Sequence, residues 1–265
     1  MRPLVKLLSP AVALLLGPMA LGQGQSEVEH VPPDPPQSHV HVMSYGEMVD
    51  MMGMDDRRRF GKVMIDRLEW RDGEDGSQYA WNAQAWYGGD FHKAWMEAEG
   101  ARVDEATHEA RIEAGWERIV SAWWSVRAGL RHDAGEGPSR DWAGFGFMGL
   151  APGFIETEAS AYLGEDSRSA ARLTLERDFL FTQRLVLQPN LELAAYGKDD
   201  PEKLIGSGLS GLELGLRLRY ELRREFAPYL GVSWSGHFGE TADLRRAAGE
   251  TVDEFTWLAG IRTWF

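Results

Sequence analysis

Residues 209–222 read Leu-Ser-Gly-Leu-Glu-Leu-Gly-Leu-Arg-Leu-Arg-Tyr-Glu-Leu. Leu212, Leu214, Leu216, Leu218, Tyr220 and Leu222 recur at every second position, with Glu213, Arg217, Arg219 and Glu221 between them. A period of two belongs to a strand, whose successive side chains point to opposite faces. A helix would scatter these leucines around its axis. The stretch predicts a long strand with one apolar and one charged face.

The alternation continues on both sides. In 78–87, Tyr79, Trp81, Ala83, Ala85 and Tyr87 oppose Gln78, Ala80, Asn82, Gln84 and Trp86. In 108–117, Ala110, Ile112, Ala114 and Trp116 oppose Glu109, Arg111, Glu113 and Glu117. In 154–163, Ile155, Thr157, Ala159, Ala161 and Leu163 oppose Glu156, Glu158 and Ser160. The final segment carries Phe255, Trp257, Ala259, Ile261 and Phe265 on one face. Twelve such segments are predicted, near 61–70, 78–87, 92–100, 106–117, 120–132, 141–150, 153–164, 169–179, 184–196, 208–222, 226–237 and 252–265.

A soluble β-sandwich or lipocalin-like barrel would turn the apolar face inward, and a membrane barrel would turn it outward. Alternation alone fits either. Connections such as 88–91, 118–119, 151–152, 180–183 and 223–225 are short. Those at 71–77, 133–140, 197–207 and 238–251 are longer and carry charge and glycine. Short turns at one rim, longer loops at the other, an even strand count and aromatics at both ends of the apolar face describe an outer-membrane barrel. Tyr79 and Tyr87 bracket one strand in this way, and the chain ends on Phe265. Lipid also demands closure, because an open sheet edge there has no hydrogen-bond partners. The expected fold is all-β: a transmembrane antiparallel β-barrel of about twelve strands over residues 60–265, preceded by a largely disordered N-terminal segment.

Composition narrows the function. The 265 residues include 28 basic and 41 acidic side chains, for a net charge of −13. No basic excess marks a nucleic-acid binder. The absence of cysteine removes disulfides, thiolate zinc sites and cysteine nucleophiles. A mean hydropathy of −0.36 excludes a helical membrane bundle.

Residues 1–22 read as a signal peptide. Arg2 and Lys6 precede the apolar run Leu7 to Leu16, and Ala20-Leu21-Gly22 supplies small residues for cleavage before Gln23. The run is shorter than the roughly 20 residues a spanning helix needs.

Residues 23–59 read as a flexible segment. Pro32, Pro33, Pro35 and Pro36 favour an extended chain. His39, His41, Met43, Met48, Met51, Met52 and Met54 follow. Thioethers are soft ligands that select Cu(I), and imidazole also serves Cu(II). His39 and His41 share one side of an extended chain. Met48, Met51 and Met52 share one face of any helix formed there. These seven residues are the candidate metal ligands, with copper as the ion. The competing reading is a short amphipathic helix whose methionines only pack against apolar surface. His30, His92 and His108 have no sequence partner at a metal-binding spacing.

Under the barrel reading, Glu97, Glu99, Glu109, Arg111, Glu113, Arg127, Glu156, Glu158, Arg172, Glu176, Glu192, Glu213 and Arg217 face the lumen. Pairing across strands would make them structural, and the acidic excess would suit a cation path. Ser233, Ser235 and His237 share a face, but no third group is set by spacing as a hydrolase would need. No catalytic residue and no organic cofactor are expected.

The barrel residues resemble a known family. Asp66-Arg67-Leu68-Glu69-Trp70-Arg71-Asp72-Gly73 and Ala80-Trp81-Asn82-Ala83-Gln84-Ala85-Trp86-Tyr87-Gly88-Gly89-Asp90 carry the likeness. So do Gly129-Leu130-Arg131-His132-Asp133, Gly149-Leu150-Ala151-Pro152, Leu187-Gln188-Pro189, Gly206-Ser207-Gly208-Leu209-Ser210 and Arg223-Arg224-Glu225-Phe226-Ala227-Pro228-Tyr229. Together they resemble the copper resistance protein B family (CopB/PcoB) over residues 60–265. The resemblance implies an outer-membrane barrel, not an enzyme, that serves copper tolerance by sequestering copper or passing it across the outer membrane. It implies outer-membrane lipid and copper ions as partners, a periplasmic N-terminal segment, and a periplasmic multicopper oxidase or copper carrier of the same system. The family's methionine and histidine repeats are reduced here to the seven residues above. The alternative function is a general outer-membrane pore or barrel hydrolase whose methionines are only structural.

Overall fold

A computed structural model describes residues 43–53, 58–74, 76–103, 106–135 and 137–265. The predicted signal peptide lies outside the described residues. The chain divides into two compact units, Met1–Met54 and Asp55–Phe265.

In the first unit, α1 spans Tyr45–Met52. Ser44 caps it: Glu47 N–H donates to the Ser44 hydroxyl, and the Glu47 carboxylate accepts from Ser44 N–H at 2.8 Å. This reciprocal capping box satisfies two N-terminal donors. The backbone hydrogen bond from Ser44 holds the Glu47 carboxyl below the ordinary range. Gly53, at φ 63°, ends the helix in the left-handed conformation that glycine adopts without strain.

The second unit is a closed antiparallel sheet of thirteen segments. They are β1 Phe60–Gly73, β2 Gly76–Gly88, β3 His92–Val103, β4 Ala106–Ile119, β5 Trp124–Gly135, β6 Arg140–Ala151 and β7 Ile155–Gly164. β8 Ser169–Glu176, β9 Phe179–Leu180, β10 Leu185–Tyr196, β11 Gly208–Tyr220, β12 Phe226–His237 and β13 Asp253–Trp264 complete it. β8 and β9 both pair with the same side of β10 and form one stave, so the barrel has the twelve staves expected. β13 pairs with β1, and β10 with β11, which closes the ring.

The apolar face points outward. Leu214, Leu216 and Leu218 are exposed, and Arg217 and Arg219 between them are buried. Leu130, at 72 % exposed, lies next to buried Arg131 on β5. This polarity is opposite to that of a soluble barrel. Exposed aromatics ring both ends, with Trp70, Tyr79 and Trp257 near one and Tyr87, Trp123, Phe154 and Phe181 near the other. Tyr79 and Tyr87 bracket the outer face of β2, as expected.

Three features depart from the sequence reading. The expected loop at 71–77 is mostly strand, and strand takes up half of the one at 133–140. β1 runs to Gly73 and β2 resumes at Gly76, while β5 and β6 extend to Gly135 and Arg140. Charge and glycine there mark continued alternation, so long connections at the rim opposite the termini are confined to 197–207 and 238–252. Second, the ladder of the eighth stave breaks at 177–178. Pro189 faces Arg177 across that gap and has no N–H to donate, so only Arg177 N–H to Pro189 C=O remains, at 3.2 Å. Third, 238–251 contains a helix, α2, over Gly239–Ala248.

α2 is keyed to β11 through Thr241, 2 % exposed, which accepts from Gly206 N–H at 2.8 Å and shares a 2.6 Å hydrogen bond with Ser210. A Cβ on Gly206 would lie 2.4 Å from Thr241 N. This explains the glycine in the Gly206–Ser210 motif. Gly206→Val is expected to detach α2 and leave the barrel folded. Limited proteolysis should then cut within 239–249, where the unaltered protein resists. An unchanged cleavage pattern would contradict this role.

Candidate functional site: the methionine helix and the charged lumen

α1 presents its methionines to solvent. Met43, Met48, Met51 and Met52 are 42, 38, 64 and 50 % exposed, and α1 has no buried residue. Met48, Met51 and Met52 follow the i, i+3, i+4 spacing of one helical face. His39, His41 and Met54 lie outside the described residues. Among the described residues, no cluster of three or more histidines, aspartates or glutamates has metal-site geometry. Thioethers fall outside that donor set.

The lumen is filled by charge. On β1, Glu69 is fully buried and receives Arg217 Nε at 2.6 Å, Arg71 Nε at 2.8 Å and the Tyr229 hydroxyl at 3.0 Å. Arg217 Nη1 also donates to Asn190 Oδ1 at 2.5 Å. A Cβ on Gly215 would come within 2.0 Å of that oxygen, so glycine alone leaves room for the pair.

Three carboxylate pairs oppose each other directly across neighbouring strands: Glu97 and Glu113, Glu156 and Glu176, and Glu192 and Glu213. Like charges in such positions are destabilising. Cations from elsewhere relieve them. Arg172 reaches Glu192 at 2.7 Å, Arg71 reaches Glu213 at 3.6 Å, and Arg67 reaches Glu176 at 2.5 Å. Asn82 donates to Glu97 at 2.7 Å and the Tyr162 hydroxyl to Glu113 at 3.0 Å. Arg127 bridges Glu117 and Glu158. The predicted lumen set therefore faces inward as expected and mostly pairs. Glu109 and Glu156 sit at its exposed margins.

Sequence reasoning missed Glu69, Arg67, Arg71 and Asp66. The signal was there: β1 alternates, but a bulge between Ile65 and Arg67 shifts the register, so one period drawn through 61–70 misassigns its faces. Asp66 at the bulge receives Arg262 Nε at 2.9 Å. Ser233 is buried, and Ser235 lies opposite Glu213 and Glu254. His132 pairs with Asp141 at 2.6 Å on the outer face near the rim opposite the termini.

That rim also carries a loop clip. Arg140 donates to both oxygens of Asp200, at 2.8 and 3.0 Å, and these bonds hold the Asp200 carboxyl below its ordinary range. At the other rim, Phe265 continues the ladder with Val63, its N–H donating to Val63 C=O at 2.8 Å, and its ring is exposed.

A closed barrel with an apolar exterior, aromatic rims and a charged interior is an outer-membrane protein. The sequence profile described as "Copper resistance protein B precursor (CopB)" matches residues 59–265. The chain belongs to the copper resistance protein B family, and its role is in copper resistance. It is 45 % identical over 202 residues to "Copper resistance protein B homolog" of Pseudomonas syringae pv. tomato, covering 76 % of this chain and 69 % of that one. It is 41 % identical over 203 residues to "Copper resistance protein B" of Escherichia coli, covering 77 % and 69 %. Among solved structures, a NanC porin aligns with a TM-score of 0.50 at 12 % identity, over 76 % of this chain and 98 % of that one. That likeness concerns the fold alone.

Proposed function

We propose that the chain binds copper through its N-terminal methionines and histidines on the periplasmic side, and holds it there or hands it to the barrel for passage across the outer membrane. The observation that carries this reading is the set of four exposed thioethers at Met43, Met48, Met51 and Met52, three of them on one helical face. Among the described residues of α1 none is buried, so these methionines are not packed within the helix, and soft sulfur selects Cu(I). His39 and His41 add imidazoles suited to Cu(II), and Met54 extends the sulfur set. No catalytic step is proposed. Delivery by a periplasmic copper carrier or multicopper oxidase is the exchange partner this reading requires.

The test uses the full chain refolded in detergent. Met43, Met48, Met51, Met52 and Met54 are changed together to leucine, which keeps apolar size and removes sulfur. Competition with a Cu(I) chelator under reducing conditions is expected to show binding by the unaltered protein and loss of most of it in the variant. Equal Cu(I) affinity in both would reject thioether ligation. His39→Ala with His41→Ala should instead weaken Cu(II) binding, and that binding should fade as imidazole protonates, since only the neutral ring ligates.

A further inference from the structure

Most lumen ion pairs join staves no more than three apart around the ring, as Arg217–Glu69 and Arg71–Glu213 do between β11 and β1, and two reach further. Arg172 on β8 donates through Nη1 and Nη2 to Glu99 on β3, at 2.7 and 3.2 Å. Between β8 and β3 lie β4–β7 on one side, and β10–β13, β1 and β2 on the other. The contact crosses the barrel close to a full diameter. Arg67 on β1 meets Glu176, again on β8, at 2.5 Å. β2–β7 separate those strands on one side and β10–β13 on the other. Both crossings therefore converge on one stave.

Neighbouring groups brace the crossings. Glu99 also receives Arg111 Nη1 at 2.5 Å, and Arg172 Nη2 also holds Glu192. Gln188 donates to Glu176 at 3.4 Å. Arginine suits this role because its planar fork can engage two carboxylates at once. The shared stave is also the one whose ladder breaks, at 177–178 opposite Pro189, directly after Glu176. A stave with missing ladder bonds opens locally at lower cost than a continuous one.

We propose that Arg172–Glu99 and Arg67–Glu176 form a transverse bar that closes the lumen to free ion flow, carried on a stave that yields at the Pro189 break. Solute passes only when these arginines swing off their carboxylates. The bar depends on the barrel alone, so it stands or falls separately from copper binding by the N-terminal segment.

Conductance of the full chain in planar lipid bilayers with potassium chloride tests this. The chain has no cysteine, so Arg172→Cys introduces a unique thiol. The unaltered protein is expected to conduct weakly, and Arg172→Cys combined with Arg67→Ala several-fold more. Modification of that thiol with aminoethyl methanethiosulfonate, which restores a cation, should return conductance toward the starting level. The neutral methyl reagent should not. Heat-modifiable gel migration reports folding of each variant. If the double variant does not insert, Arg67→Cys alone carries the same charge-restoration test on the second crossing. Unchanged conductance in a folded variant, or an unaltered protein that already conducts as strongly, would overturn the bar. Equal closure by the neutral and cationic reagents would overturn it too, by showing that bulk rather than charge closes the lumen.

Discussion

Glu69→Ala is expected to destabilise the barrel by about 3–5 kcal/mol, the cost of removing one member of a buried ion pair. Its side chain is fully buried and accepts from Arg217, Arg71 and Tyr229. The loss strands Arg217, whose side chain is 4 % exposed, without its carboxylate. The urea midpoint of the refolded barrel in detergent should fall, with an unchanged slope. Pairing Glu69→Leu with Arg217→Met removes both charges and should recover much of the loss, because the penalty comes chiefly from the uncompensated cation. A single variant as stable as the parent would mean that water reaches this part of the lumen and solvates Arg217.

Leu214→Arg tests the polarity of the wall. Leu214 lies midway along β11, faces outward, and is paired with Leu191 and Trp234. An arginine on the lipid face near the bilayer midplane costs about 2–4 kcal/mol. The expected result is a lower midpoint in lipid vesicles and poor recovery in the outer membrane. Ser235→Arg is the matched control. Its side chain faces the lumen opposite Glu213 and Glu254, where a cation meets acids. It should be tolerated far better. If both variants behave alike, the faces of this strand are wrongly assigned.

The two substitutions differ in how they could be foreseen. Leu214 was readable because an alternating strand declares its faces in sequence. Which face meets lipid was not readable from alternation. It rested on the signal peptide, on turn lengths and on the terminal aromatic, and the turn argument was weaker than it looked, since charged ends at 71–73 and 133–135 are strand. Glu69 was harder to place, because the bulge before Arg67 moves it onto the inner face and a single period drawn through the strand puts it on the other. The methionine cluster was legible as chemistry, through its soft donors, and its helical spacing matches α1.

By itself, the sequence determined the period, the number of staves and the chemical character of each face, because these depend only on which side chains alternate along a strand. It also determined that soft donors precede the barrel. Only the tertiary structure decided which lumen charges meet. Arg172 and Glu99 are 73 residues apart and Arg67 and Glu176 are 109 apart. Such partners are selected by closure, stagger and register acting together, since a shift of one residue would turn every side chain of a strand to the other face. The same holds for α2. Its ten residues carry no strong apolar stripe, and they are fixed as a helix where Thr241 meets the gap left by Gly206.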